Sequence, residues 1–335
     1  MKIIIEDHVP YIRGVFEPEC QTVYLPAKEI TAETVKNADA LITRTRTRCD
    51  AHLLEGSRCR IVATATIGTD HIDTGWCRNA GIEVANVPGC NAPAVAQYVM
   101  ASLLRIFTPD ELKAKTIGVI GVGHVGSIVV RWAEGLGMKV LLNDPPREAA
   151  GETGFTSLDH IMHDADIITF HTPLTKPSDS VYPTFHLADS GFFSRLSRRP
   201  VIINAARGPI LDSDALLEAI SSGKVSAAVI DCWEGEPAVN LQLLKETFIA
   251  TPHIAGYSRA GKIRATMGVI SAVNRCLGLH GEYRGDLPPD VPVTVTAEEV
   301  AESYNPVADS DRFKNNPSEF EKYRNEYDLR REVRE

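Results

Sequence analysis

The stretch Thr116-Ile-Gly-Val-Ile-Gly-Val-Gly-His-Val-Gly126 constrains this chain more than any other. A short apolar strand runs into Gly-x-Gly-x-x-Gly, and a helical pattern opens behind it from Ser127 to Leu136. Each glycine has its own task in such a run. Gly121 makes the tight turn, Gly123 lets backbone approach a pyrophosphate, and Gly126 lets the helix pack closely on the strand. The helix start, with the backbone N–H groups of His124 and Val125, then faces the phosphates. The next apolar run, Lys139 to Asn143, ends in Asp144, 23 residues after Gly121. A carboxylate there grips the adenosine ribose hydroxyls of a dinucleotide. Strand, glycines, helix, strand and acid in that order imply a dinucleotide site. Asp144 would repel a 2′-phosphate, so NAD is expected in preference to NADP, with Arg147 the only nearby counterargument.

A chain of 335 residues is long enough for two domains with real cores. Its formal net charge of −9 speaks against nucleic acid or an anionic membrane as a general partner. No apolar run approaches the ~20 residues that a membrane span needs. Met1-Lys-Ile-Ile-Ile-Glu-Asp7 reads as a first strand ending in acids, not as a secretion signal. Seven cysteines, at 20, 49, 59, 77, 90, 232 and 276, are scattered and never form C-x-x-C. That pattern fits reduced thiols in the cytoplasm, and neither a disulfide frame nor a metal site.

Apolar runs at 3–5, 22–25, 40–43, 60–65 and 83–86 alternate with helical segments and read as strands of a parallel sheet. A second set falls at 117–120, 139–143, 166–171, 200–204, 226–231 and 248–251, the six strands of a doubly wound dinucleotide fold. Between the sets, residues 91–107 are apolar nearly all round. This predicts a helix buried on most sides, at a domain crossing or a subunit contact. A further helix from about 259 to 279 runs back to the first domain. The expected class is α/β, with two doubly wound parallel-sheet domains, one flavodoxin-like and one Rossmann. Residues 1–92 and 258–280 form the first, residues 93–257 the second, and residues 281–335 a C-terminal extension. Within that extension Glu319–Arg334 reads as a charged helix, expected to pack on a neighbour or a second subunit.

Three polar residues follow strands of the second domain, at the rim where open α/β sheets bind ligands. Arg207 comes after the strand ending at Asn204, Glu236 after the one ending near Asp231, and His253 after the one ending at Thr251. Such a set suits oxidation of a 2-hydroxy acid. A guanidinium forks onto the substrate carboxylate, and a histidine takes the hydroxyl proton as hydride leaves. A carboxylate fixes the imidazole's tautomer. Arg44, Arg46 and Arg48 alternate with threonines at the end of a first-domain strand. Alternation places the arginines on one face and Thr45 on the other. His71 and Cys232 read as packing residues, since neither has a ligand set or base partner nearby in the sequence.

Over residues 1–280 the chain resembles the D-isomer-specific 2-hydroxyacid dehydrogenases. The matching pieces are the glycine run, His171-Thr-Pro-Leu, Asn204-Ala-Ala-Arg-Gly, Asp231-Cys-Trp-Glu-Gly-Glu-Pro and Thr251-Pro-His-Ile-Ala-Gly-Tyr. The resemblance implies Arg207, Glu236 and His253 as catalytic residues, with Glu236 preferred to Glu234 because it directly precedes Pro237. It implies that Thr172, Ala205, Ala206, Asp231 and Gly256 line the cofactor, and that the first domain binds substrate. A narrower likeness, in Ala65-Thr-Ile-Gly-Thr-Asp-His-Ile-Asp73 and in the charged tail, implies a phosphorylated 2-hydroxy acid and a homodimer. In that likeness Thr45, where serine is usual, Thr66 and Tyr257 contact substrate. The tail looks abbreviated, which leaves its dimer role less secure. Two other readings stay open here: a dehydrogenase for another acid such as 3-phosphoglycerate, and a nucleotide-sensing binding protein without turnover.

Overall fold

The short apolar runs of the first ninety residues become strands because each is flanked by polar turns and covered by helix on both faces. They are β1 (Lys2–Glu6), β2 (Gln21–Leu25), β3 (Ala40–Thr43), β4 (Ile61–Thr64) and β5 (Glu83–Ala85). In the computed structural model, which describes all of residues 1–335, they form one parallel sheet in the order β2-β1-β3-β4-β5. This is the expected flavodoxin-like order. One face packs on the helix Arg259–Leu277 through Ala265, Val269, Ile270 and Val273. The other packs on Leu53, Leu54 and Cys77.

The second sheet contains β6 (Thr116–Ile120), β7 (Lys139–Asn143), β8 (Ile167–Phe170), β9 (Val201–Asn204), β10 (Ala227–Ile230) and β11 (Ile249–Ala250). All pairs are parallel, in the order β11-β10-β9-β8-β6-β7. Six strands were expected, but the order of the full Rossmann sheet places one more strand outside β7. Here that place is taken by irregular chain, which touches β7 where Thr156 N donates to Leu142 O (2.7 Å) and Asn143 Nδ2 donates to Thr156 O (2.8 Å). Gly151 and Gly154, both at φ +94°, bend this segment out of strand geometry. The switch point between β6 and β8 survives.

Two compact units result, Met1–Asn91 with Ser258–Pro289, and Ala92–Tyr257 with Asp290–Glu335. The chain passes from one unit to the other after Asn91, after Tyr257 and after Pro289, so the C-terminal extension is divided between them. Residues 281–289 go with the first unit, and residues 290–335 pack on the second. Phe313, Phe320 and Tyr323 are buried beside Trp233 and Leu243, while Val300, Tyr304 and Val333 are buried against Tyr98 and Trp132. Phe313 is 0% exposed, an aromatic anchor of the kind whose truncation costs about 3–5 kcal/mol. The charged composition hides these few well-spaced apolar residues. The expected helix 319–334 is also shorter: Phe320–Asn325 is helical, and the chain beyond is irregular. Two helices that the sequence reading missed, Ala297–Ser303 and Pro306–Asn315, precede it.

The tail explains the all-round apolar helix Ala92–Ile106, in which every residue from Ala92 to Leu103 is buried. One side meets the helix His124–Gly135, and the other meets the tail of the same chain. The tail also covers the sheet edge, since Ala250 N of β11 donates to Ser310 Oγ (2.9 Å).

Candidate active site

Three loops leave the C-terminal ends of β9, β10 and β11, and each is bound to the next. Asn204, fully buried at the end of β9, folds its own loop. Its Oδ1 accepts from Ala206 N (3.1 Å) and its Nδ2 donates to Arg207 O (2.9 Å). Gly208 then lies against the second loop so closely that a Cβ there would stand 2.0 Å from the Trp233 carbonyl carbon. Only glycine fits this contact. The Arg207 side chain is half-buried, with one terminal nitrogen donating to Ala206 O (2.8 Å).

Glu236 and His253 meet directly. Nδ1 of His253 and Oε1 of Glu236 are 2.6 Å apart, and the second oxygen of Glu236 accepts from Trp233 N (3.2 Å). Burial works to raise the Glu236 pKa, but the hydrogen bond and charge of His253 outweigh it and hold the carboxyl below its usual value. An ionised Glu236 accepts a hydrogen bond from Nδ1–H and leaves Nε2 of His253 as the basic nitrogen. Their side chains are 28% and 27% exposed, so the pair is sheltered yet reachable. Glu234, the rejected alternative, pairs instead with His186 (2.6 Å).

His253 sits at φ +55°, a left-handed conformation that costs a histidine energy unless neighbours impose it. Its N–H donates to Asp231 O (2.8 Å), and the Asp231 carboxylate does the rest. One carboxylate oxygen accepts from Thr251 Oγ1 (2.6 Å) and Ile254 N (2.8 Å), the other from Ala255 N (2.9 Å). Asp231 is 1% exposed, and burial pushes its pKa up against the lowering pull of His253 and these donors. Its observed work is to hold the turn that carries His253, a task the sequence reading did not assign.

The three glycines of the run differ in their surroundings. Gly121 has φ +87°, and a Cβ there would lie 2.8 Å from the His171 carbonyl carbon. At Gly126 a Cβ would lie 2.0 Å from Gly121 O, whereas at Gly123 it would meet nothing within 4 Å. The helix His124–Gly135 starts with no side-chain cap. The neighbouring helices starting at 109, 145, 158, 190, 213 and 241 are all capped by a Thr, Asp, Ser or Asn. Its first N–H groups are thus left for an external anion. Beside it, Thr172 Oγ1 and His171 Nδ1 are buried without a hydrogen-bond partner. Uncapped donors, open space and orphaned polar atoms fit a bound dinucleotide. Asp144 at the end of β7 accepts from Val122 N (2.8 Å) and Arg147 N (3.3 Å). Arg147 is engaged by Glu152 (2.9 Å from Nε) and by Val122 O (2.5 Å). Ala205 and Ala206 on the β9 loop and Gly256 on the β11 loop are half-buried.

His171 makes a pH prediction. Burial disfavours its imidazolium and lowers its pKa to about 3. An unfolded histidine takes up its proton near ~6.5, whereas this one refuses it until far lower. Between those values the unfolded state holds the extra proton, so stability falls as pH drops through that window. Urea titrations at pH 7 and pH 5 are expected to show this loss, and a His171→Asn variant a smaller one. An unchanged difference in that variant would remove His171 as the cause.

In the first unit the strand β3 stops at Thr43, so the expected alternation through 44–48 is not sustained. Thr47 turns inward and donates to Glu6 Oε2 (3.0 Å), while Thr45 is exposed, as are Arg46 and Arg48. Arg48 pairs with Asp50 (2.9 Å). Thr66 is half-buried, its hydroxyl 2.7 Å from Thr64 Oγ1 and 3.0 Å from Gly68 O. His71 hydrogen-bonds to Thr64 (3.2 Å) and Cys232 to Ala206 O (3.4 Å), in keeping with packing roles. Tyr257, in the second unit, is half-buried with its ring edge-on to Tyr327 (6.0 Å).

The family model "D-isomer specific 2-hydroxyacid dehydrogenase, NAD binding domain" matches residues 93–255. The chain is 50% identical to an erythronate-4-phosphate dehydrogenase of Bacteroides thetaiotaomicron, over 99% of this chain and 97% of that one. An NAD+-bound 3-phosphoglycerate dehydrogenase from Entamoeba histolytica superposes with a TM-score of 0.69 at 27% identity, covering 83% of this chain and 96% of that one. A D-lactate dehydrogenase of Aquifex aeolicus, solved with NAD and lactic acid, superposes with a TM-score of 0.69 at 25% identity, covering 82% and 94%.

Proposed function

Since the chain belongs to the D-isomer-specific 2-hydroxyacid dehydrogenases, among the erythronate-4-phosphate dehydrogenases, we propose that it oxidises 4-phospho-D-erythronate to 2-oxo-3-hydroxy-4-phosphobutanoate. The reaction would serve the synthesis of pyridoxal phosphate. The observation that carries the reading is the 2.6 Å pair of His253 and Glu236, which joins the loops after β11 and β10 beside the β9 loop of Arg207. Bound NAD supplies the hydride acceptor. Nε2 of His253 takes the proton of the C2 hydroxyl, which becomes the ketone oxygen as C2 gives up hydride. Glu236, kept ionised, holds the imidazole with Nε2 free and stabilises the imidazolium that forms. Arg207 binds the substrate carboxylate, for which a planar guanidinium fork is suited. Tyr257, Thr45 and Thr66 keep the substrate contacts that the family resemblance implies.

Gly121, Gly123, Gly126 and the N–H groups of His124 and Val125 would cradle the pyrophosphate, with Asp144 on the ribose. Arg147 is already engaged by Glu152, which supports NAD over NADP. The orphaned hydroxyl of Thr172 gives the nicotinamide half a partner, with Ala205, Ala206 and Gly256 beside it. A homodimer in the cytoplasm belongs to the same reading, supported by the family likeness and by seven cysteines free of disulfides.

Initial rates with NAD and three acids test the substrate. 4-Phospho-D-erythronate is expected to exceed both 3-phosphoglycerate and an unphosphorylated D-2-hydroxy acid in kcat/KM by at least about tenfold, the scale of one well-placed charged contact. A higher value for either rival would reassign the substrate.

A further inference from the structure

The tail carries an arginine whose position its sequence does not explain. A guanidinium has five N–H donors in a fixed fork, and Arg330 has an acceptor for each. Nε donates to Gln97 Oε1 (3.1 Å), one terminal nitrogen to Ile254 O (3.0 Å) and Tyr257 O (3.1 Å), and the other to Ala94 O (3.0 Å) and Ala255 O. The guanidinium carbon also lies 4.4 Å from the Tyr304 ring centroid. Three of the five acceptors belong to the turn that directly follows His253. Asp231 binds that turn by the N–H groups of Ile254 and Ala255. Arg330 therefore binds by their carbonyls the same two residues that Asp231 binds by their N–H groups.

We propose that Arg330 is a positioning residue for the reaction: it clamps the 254–257 turn and thereby holds His253 in its left-handed conformation against Glu236. The tail is then part of the working site without touching substrate. This rests on His253 being the base, as assigned above. A left-handed histidine persists only where its surroundings over-determine it. Asp231 fixes one side of the turn, and Arg330 supplies the other.

The test uses the full chain with Arg330→Ala, Arg330→Lys and His253→Ala. Arg334→Ala serves as a control, because Arg334 binds Glu299 (2.7 Å) in the same tail and donates to none of the turn carbonyls. Single-turnover NADH formation from 4-phospho-D-erythronate, NADH affinity by fluorescence, and thermal midpoint are measured on each. Arg330→Ala is expected to slow hydride transfer about tenfold to a hundredfold, the usual effect of a displaced catalytic group. NADH affinity should stay within about threefold, and low concentrations of guanidinium should restore part of the rate. Arg334→Ala should keep the wild-type rate. If Arg330→Ala does not purify folded, Arg330→Lys decides, since it keeps the charge but not the fork. A slowed rate with intact NADH affinity supports the clamp, and a wild-type rate overturns it. A folded Arg330→Ala enzyme that turns over normally, or a rate loss that guanidinium cannot relieve, also overturns it. Failure of the underlying reading looks different: His253→Ala would then retain turnover, whatever Arg330 does.

Discussion

Replacing His253 by alanine is expected to lower kcat about a hundredfold to ten-thousandfold, the contribution of a positioned general base. NADH affinity should change little, because the glycine run, the start of the helix at His124 and Asp144 are untouched. The reasoning is local. Nδ1 is committed to Glu236 at 2.6 Å, so the imidazole has one nitrogen to offer, and the sheltered pair offers it on the rim of the sheet. Glu236→Gln should fall between wild type and the alanine variant, since the amide still bonds Nδ1 but cannot stabilise an imidazolium. Steady-state rates with both variants, alongside fluorescence titration with NADH, decide the matter. Turnover within about threefold of wild type in His253→Ala would remove the histidine from proton transfer.

The second large effect separates two glycines three residues apart. Gly126→Ala forces a Cβ to 2.0 Å from Gly121 O, so the helix must move off the strand. Overpacking of this kind costs about 1–3 kcal/mol or more. Both thermal midpoint and NADH binding should fall. Gly123→Ala meets nothing within 4 Å, so the fold should be disturbed far less than by Gly126→Ala. The added methyl nevertheless occupies the space where a pyrophosphate would press. NADH affinity should then drop at least about tenfold with a smaller loss of stability than in Gly126→Ala, the penalty for spoiling a close backbone approach. Calorimetry and fluorescence titration on the two variants check it. A Gly123→Ala protein that binds NADH normally would place the phosphates elsewhere.

Much of this could be read from the chain because the signals are local. Strands such as Ile3–Ile5 and Val201–Asn204 are short apolar runs with turns on both sides. The glycine run has three positions whose geometry only glycine satisfies or a ligand needs. Arg207, Glu236 and His253 stand out as candidates because each follows a strand of one sheet, and strand ends in such sheets converge on one rim. What was missed has no local signal. Arg330 acts through backbone carbonyls, which look alike in every sequence. Asp231 serves a turn twenty residues away, and its type alone cannot distinguish that from lining a cofactor. The tail reads as solvated charge because Phe313, Phe320, Tyr323 and Val333 are few among many Glu, Lys and Arg residues. The alternation through Arg44–Arg48 failed for a simpler reason: period two holds only while the chain stays in a strand, and β3 ends at Thr43.

A crystal structure of this chain with NADH and a 2-oxo acid bound tests the central claim most directly. Nε2 of His253 should lie about 2.6–3.2 Å from the C2 oxygen, with Nδ1 still on Glu236 and Arg207 forked onto the acid's carboxylate. A complex in which His253 turns away from that oxygen, or another side chain occupies its place, would contradict the account.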